Sequence, residues 1–332
     1  REIDLLEEQY VARGEAFFHV SGAGHEAVAT LNPHLIPEDY LHCHYRDKAL
    51  MLARGISSEM FFYSFFCKDA SHSRGRQMSA HMSDRRTNIL SLVGPVGNNA
   101  LQAVGIAAEI KNQPQSPIVY CGLGDGTTQQ GEVLEAIAES VRWKLPVLFL
   151  VQDNKYAIST ITHKKTFYNL PDKNAQSFYG LPLLYLEGKD PVSCYRSLKG
   201  IVTNIRTSRT PALVIMSMER LANHTNADDQ SVYRDSNEIH TAIKEYDPIV
   251  NLKRDLELSG IKSIDIDCIH QSIRESLVEV AKQVQLSKDP LPCLNSKKNL
   301  PDHLLVTALN EYRGGSSSNS LTMLEAMRKV LY

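Results

Sequence analysis

The stretch from Pro117 to Asn154, which begins PIVYCGLGDG and ends PVLFLVQDN, constrains the fold more than any other. Two short, uniformly apolar runs end in small polar residues. Between them, residues 129–143 carry Val133, Leu134, Ile137, Ala138 and Val141 at helical spacing. A strand that is apolar at every position has both faces covered, which is the habit of parallel sheets flanked by helices. LLYLEG, a helical pattern over 191–206 and ALVIMSME continue the alternation. The expected fold class is therefore α/β, a mostly parallel sheet flanked by helices. Ligands of such sheets sit at the carboxyl ends of the strands, where Gly124-Asp125-Gly126 and Asp153-Asn154 fall.

Composition narrows the partners. With 332 residues, 42% of them hydrophobic, the chain can bury a large core. A net charge of -2 gives no electrostatic reason to expect nucleic acid or an anionic membrane. No apolar run approaches the roughly 18 to 20 residues needed to span a bilayer, and the start REIDLLEEQY is no signal peptide. Six scattered cysteines without CxxC spacing read as reduced thiols. His42-Cys43-His44 lacks further ligands for zinc and reads as a polar helix or loop leading into Tyr45.

Along the chain, residues 1–18 predict an amphipathic helix, and VSGAGHEAVATL a Gly-rich turn entering another. RDKALMLARGISSEMFFYSFF is strongly helical, Lys68 to Asn88 a loop, and GPVGNNALQAVGIAAEIK a tight turn before an Ala-rich helix. Residues 217–236 form a long polar loop, the mark of a functional lid or a disordered segment. Beyond Pro248 a helical pattern places Ile269, Ile273, Leu277, Val280 and Val284 on one face. GGSSSNS has linker composition, and LTMLEAMRKVLY begins a fresh amphipathic helix. The expected division is one domain over 1–300, a linker over 301–320 and the start of another domain over 321–332.

The glycine-rich turn poses a chemical question, because Asp125 stands where phosphate would rest. A dinucleotide fold needs more than GxGxG and an acidic residue about twenty positions on. A P-loop would need Gly-Lys-Ser/Thr, which is missing. The third reading puts a metal between acid and phosphate. Two like charges about 4 Å apart cost roughly 4 kcal/mol at an effective dielectric near 20, and an intervening Mg²⁺ reverses that sign. Mg²⁺ takes one or two protein oxygens plus substrate phosphates. Asp125 and Asn154 can supply them if their strands are neighbours, with a diphosphate on the N–H groups of Gly124, Gly126 and Thr127 near the following helix N-terminus. Gly124-Asp125-Gly126, followed after twenty-six residues by Asp153-Asn154, resembles the GDG…N(N) signature of thiamine-diphosphate enzymes.

GHEA (Gly24 to Ala27), HYRD (His44 to Asp47), GRQMSAH (Gly75 to His81), NKYAIST and NHTNADDQSVYR follow in order. Over roughly residues 15–300 the chain resembles the alpha subunit of the thiamine-diphosphate-dependent 2-oxo acid dehydrogenases, and the branched-chain members most. The resemblance implies the thiamine-diphosphate-binding fold, with thiamine diphosphate and Mg²⁺ as cofactors. It implies oxidative decarboxylation of a 2-oxo acid, with acyl transfer to a lipoyl group on an acyltransferase partner. Tyr45 and Arg46 would grip the diphosphate, Gly94 and Val96 would meet the aminopyrimidine, and the Tyr156 carbonyl would join Asp125 and Asn154 at the metal. His224 would be the active-site histidine, a neutral or protonated donor, in a loop ordered by Arg220, Asp228, Asp229, Tyr233 and Arg234.

The resemblance also implies a beta subunit, or a fused beta portion, that brings the activating Glu in an alpha2beta2-like assembly. The tail LTMLEAMRKVL resembles the opening helix of that subunit. The location implied is cytoplasmic in a bacterium or the mitochondrial matrix in a eukaryote. Some positions depart from the pattern. Gln152 replaces a phosphate-binding Arg, Asn98 and Asn99 replace a Thr-Gln tied to a potassium site, and Thr225 stands at a phosphorylated serine. An acetoin dehydrogenase alpha subunit, a non-catalytic cofactor-binding relative and a NAD-dependent dehydrogenase stay open as alternatives.

Overall fold

A computed structural model describes residues 1–92 and 94–291, and Arg1–Pro290 form one compact unit. The expected linker over 301–320 and the helix from 321 lie outside the described residues. In chain order, helix α1 (Glu2–Ala12) leads through a 3-10 helix (Glu26–His34) to strand β1 (Tyr40–His42), then to α2 (Lys48–Arg54), α3 (Ser58–Phe65) and α4 (Asn98–Ile110). Strand β2 (Val119–Gly124), helix α5 (Gly131–Trp143) and strand β3 (Val147–Asp153) form the unit legible in the opening stretch. A hairpin of β4 (Tyr156–Ala157) and β5 (Thr160–Ile161) follows, then β6 (Ser177–Phe178), β7 (Leu181–Glu187), α6 (Pro191–Ser208) and β8 (Ala212–Ser217). After an irregular stretch come α7 (Ser236–Glu245), α8 (Pro248–Leu258) and α9 (Ser263–Gln285).

The main sheet runs β1-β2-β3-β8-β7-β6, and among the described residues β6–β7 is its one antiparallel pair. Alternation along the strands divides the core between the two faces. Val119, Cys121 and Leu123 of β2, with Val147, Phe149 and Val151 of β3, pack with Ala100, Ala103 and Ala107 of α4 and Val133, Ala136 and Ile137 of α5. Tyr120, Leu148, Leu150, Val214 and Met216 point the other way, into a core built with α1, α2, α3, α6 and α9. Full burial of each such side chain contributes roughly 1.5–3 kcal/mol. Because β1, β2, β3 and β8 are parallel, their carboxyl ends lie along one edge of the sheet.

Three elements differ from the sequence expectation. His42-Cys43-His44 is not a polar helix or loop: His42 ends the strand β1 and both His42 and Cys43 are buried. Three residues hold too little apolar pattern to announce a strand, and only pairing with β2 creates this one. The helix expected within VSGAGHEAVATL is a 3-10 helix that begins at Glu26, inside GHEA, with Pro33 inside it where an α-helix would need an N–H. The stripe on α9 is only half buried. Leu277 and Val284 reach the core, whereas Ile269 and Ile273 are 62% and 48% exposed.

Candidate active site

A cavity of about 500 Å³ lies at the carboxyl edge of the sheet. The connection from β1 to α2 brings Tyr45 and Arg46 to it, and the turn before α4 brings Gly94 and Val96. From the end of β2 come Gly124, Asp125, Gly126 and Thr127; from beyond β3 come Asn154 and Tyr156. His224 reaches the same cavity from the loop after β8. The residues expected to hold the cofactor, the metal and the substrate therefore line one space.

Asp125 directly follows β2 and is almost fully buried. Burial first, and then the neighbouring Asp153 carboxylate, pushes its pKa up to about 6, while the Thr162 hydroxyl, donating to Oδ2 at 2.6 Å, holds the charged form. No cation stands against it among the described side chains. Asp153 does not line the cavity; its Oδ1 accepts the Lys155 N–H at 3.0 Å. Gly126 is required by close approach, since a Cβ there would lie 2.5 Å from that of Ala157 in the β4 hairpin. The residues after Asp125 form a 3-10 turn (Gly126–Gln129). The α-helix N-terminus expected beside the phosphate thus begins later, at Gly131.

Arg46 shows the opposite imbalance. The residue is 2% exposed, and its guanidinium makes no ion pair among the described residues and leaves Nε without a hydrogen-bond partner. It donates to the Ser21 carbonyl, to His224 Nδ1 at 2.9 Å and to the His224 carbonyl at 3.2 Å. An arginine can only donate, so His224 Nδ1 must hold a lone pair and Nε2 the proton. Burial, then Arg46 and Arg220, lowers the His224 pKa to about 4. Of the two states open in the sequence reading, the structure selects the neutral imidazole with an Nε2–H donor.

Side chains, not regular structure, order the loop that carries His224. Asp228 accepts the His224 N–H at 2.7 Å and the Tyr233 hydroxyl at 2.6 Å. Arg220 donates to the Tyr233 hydroxyl and, at 3.0 Å, to the Ile158 carbonyl. Arg234 ties the Arg220 carbonyl to Gln230 and Glu238. Asp229 faces solvent and caps the short 3-10 helix Gln230–Val232 through Ser231 N. Gly24 of GHEA anchors the loop's start: its φ is +94°, and a Cβ there would lie 1.8 Å from the Glu219 carbonyl oxygen.

Several lining residues carried no site role in the sequence reading. Phe18, Met78 and Ile158 give the cavity an apolar wall, and His44 and His81 also face it. His81 and Met78 sit in GRQMSAH, a matched motif without assigned chemistry; His44 was hidden by the apparent polarity of HCH. Gln152 lies beneath the floor and makes no cavity contact. Its Oε1 is 2.7 Å from His25 Nδ1 and its amide nitrogen donates to Asp47. Asn99 likewise turns inward, donating to the Gly122 carbonyl at 2.9 Å. Among the described residues, Asp4, Glu7 and His19 bring metal-binding atoms within 4.8 Å of one another. Lys48 Nζ already neutralises them, 2.7 Å from Asp4 Oδ1 and bonded to Glu7.

The dehydrogenase E1 component family matches residues 1–293. The chain is 30% identical over 247 residues to the 2-oxoisovalerate dehydrogenase subunit alpha of Bacillus subtilis, covering 74% of this chain and 73% of that one. It is 28% identical to the pyruvate dehydrogenase E1 component subunit alpha of Zymomonas mobilis, covering 81% and 75%. Against the mitochondrial 2-oxoisovalerate dehydrogenase subunit alpha 1 of Arabidopsis thaliana the identity is 24%, over 84% of this chain and 60% of that relative. The chain belongs to the dehydrogenase E1 component family.

Proposed function

We propose that this chain is the alpha-type half of a thiamine-diphosphate- and Mg²⁺-dependent 2-oxo acid dehydrogenase, holding the cofactor's diphosphate end. One observation carries the reading: a buried guanidinium without an anion and a buried carboxylate without a cation line the same cavity. A metal diphosphate answers both demands. The donor set fits the ion, since the Asp125 carboxylate, the Asn154 amide oxygen and the Tyr156 carbonyl are hard oxygens of the kind Mg²⁺ takes. Arg46 and Tyr45 fit the phosphate oxygens, with the unpartnered Arg46 Nε available for one of them.

When bound, thiamine diphosphate supplies the carbon nucleophile and the electron sink for decarboxylation. The chain's own residues bind and orient. His224 presents Nε2–H to the oxygen of the bound 2-oxo acid and, being neutral, does so without adding charge. Phe18, Met78 and Ile158 exclude water and suit an aliphatic side chain, which favours branched-chain 2-oxo acids. No glutamate lines the cavity among the described residues. In the alpha2beta2-like assembly proposed, the activating Glu comes from a beta-type partner, and the acyl group passes to a lipoyl acyltransferase.

Calorimetry of thiamine diphosphate with and without Mg²⁺, on the chain assembled with its beta-type partner, tests the reading. Mg²⁺-dependent binding and decarboxylation of branched-chain acids in a panel with pyruvate and acetoin are expected. Mg²⁺-independent binding of NAD, with none of thiamine diphosphate, overturns it.

A further inference from the structure

Beneath the cavity floor, one carboxylate dictates the direction of a chain of hydrogen bonds. Asp47 is fully buried and accepts from the His44 N–H at 2.7 Å, from the Tyr120 hydroxyl at 3.0 Å and from Gln152 Nε2. Because an ionised carboxylate only accepts, the Gln152 amide must turn its NH₂ toward Asp47 and its Oε1 toward His25. That oxygen lies 2.7 Å from His25 Nδ1, so Nδ1 carries the proton and Nε2 keeps its lone pair. Nε2 lies 3.4 Å from Asn154 Nδ2 and accepts from it. The Asn154 oxygen is thereby set on the other side of the amide, where it accepts the Tyr156 N–H at 3.1 Å.

We infer that Asp47, Gln152 and His25 are positioning residues, which decide that Asn154 turns its oxygen, not its NH₂, toward the bound cation. This rests on the function proposed above. Reversing the Asn154 amide would aim N–H dipoles at a divalent ion and remove one of its ligands. The relay also gives Gln152 a task that an arginine could not perform, since a guanidinium has no acceptor to offer His25. Gln152 is thus a link between the Tyr45-Arg46 turn and the metal side of the cavity, where the sequence alone suggested only a lost phosphate contact. Residues that orient metal ligands typically change affinity 10–100-fold when removed.

The test uses the chain assembled with its beta-type partner and thiamine diphosphate, with Mn²⁺ binding followed by electron paramagnetic resonance. His25→Leu, which can neither donate nor accept, should weaken Mn²⁺ by about tenfold or more. His25→Gln keeps one donor and one acceptor and should stay within about threefold of the wild type. Gln152→Met breaks the relay one link away with little change of volume; it should match His25→Leu, and it carries the test alone if His25→Leu does not fold. Melting temperatures recorded in parallel separate this from a packing role, which would not distinguish Leu from Gln by metal affinity. Unchanged affinity in the folded Leu and Met variants, or equal loss in His25→Gln, overturns the inference alone. A wild-type assembly that binds no Mn²⁺ overturns the proposed function with it.

Discussion

The floor and the lid of the cavity are built by different means. Asp125 and Asn154 leave parallel strands that are buried along nearly their whole length, so backbone ladders fix the floor before any ligand arrives. His224 hangs from a loop whose only helical segment is the short 3-10 helix Gln230–Val232, and side-chain bonds from Asp228, Tyr233 and Arg220 hold it. A site held by strands is expected to set affinity, and one held by a few polar contacts to govern turnover and order.

The largest expected effect separates the two. Asp125→Ala should weaken Mg²⁺-dependent thiamine diphosphate binding by about a hundredfold or more. His224→Ala should leave that affinity within a few-fold and lower kcat by roughly 10²–10³, the usual loss for a donor aimed at a reacting oxygen. Calorimetry beside steady-state kinetics reads both. If His224→Ala loses binding as fully as Asp125→Ala, floor and lid do not act separately.

A pH series sharpens the same contrast with a smaller effect. Folding lowers the His224 pKa from 6.5 to about 4. A group depressed in this way contributes stability above its unfolded pKa and loses it as pH falls through the folded value. Melting temperatures of the wild type should therefore fall between pH 6.5 and 4 by more than those of His224→Gln. Parallel curves would contradict the neutral, half-buried imidazole. A smaller effect again is expected from Tyr233→Phe, which removes one donor to Asp228 and one acceptor from Arg220 but leaves the His224 N–H in place. Its cost should be about 0.5–1.5 kcal/mol, confined to residues 219–236 and visible as faster amide exchange there. Exchange that quickened equally in β2 and β3 would mean that the lid and the sheet open together.

A similar contrast runs along α9. Leu277→Ala, at a buried position, should destabilise by about 2–5 kcal/mol, whereas Ile269→Ala should stay within about 0.5 kcal/mol. Both positions carry the same apolar signal in the sequence. Periodicity reports which residues share a face, but not how far the rest of the protein extends beneath it. The strand β1 escaped for a related reason, because Tyr40-Leu41-His42 becomes a strand only where β2 offers it backbone partners.

Local pattern was enough for the α/β class, the strand-helix-strand unit and the placement of Asp125 and Asn154 at strand ends, because uniformly apolar strands and glycine-bounded turns are properties of neighbouring residues. Tyr45, Arg46, Gly94, Val96 and His224 became candidates through motif resemblance, without any local reason to share a cavity. Tertiary structure brought them together from three separate connections. It also set what no local pattern holds: the neutral state of His224, fixed by an arginine 178 positions away, and the orientation of Gln152, fixed by a carboxylate 105 positions away. Protonation and amide direction depend on which groups burial forces into contact, and in this chain those groups are distant in sequence.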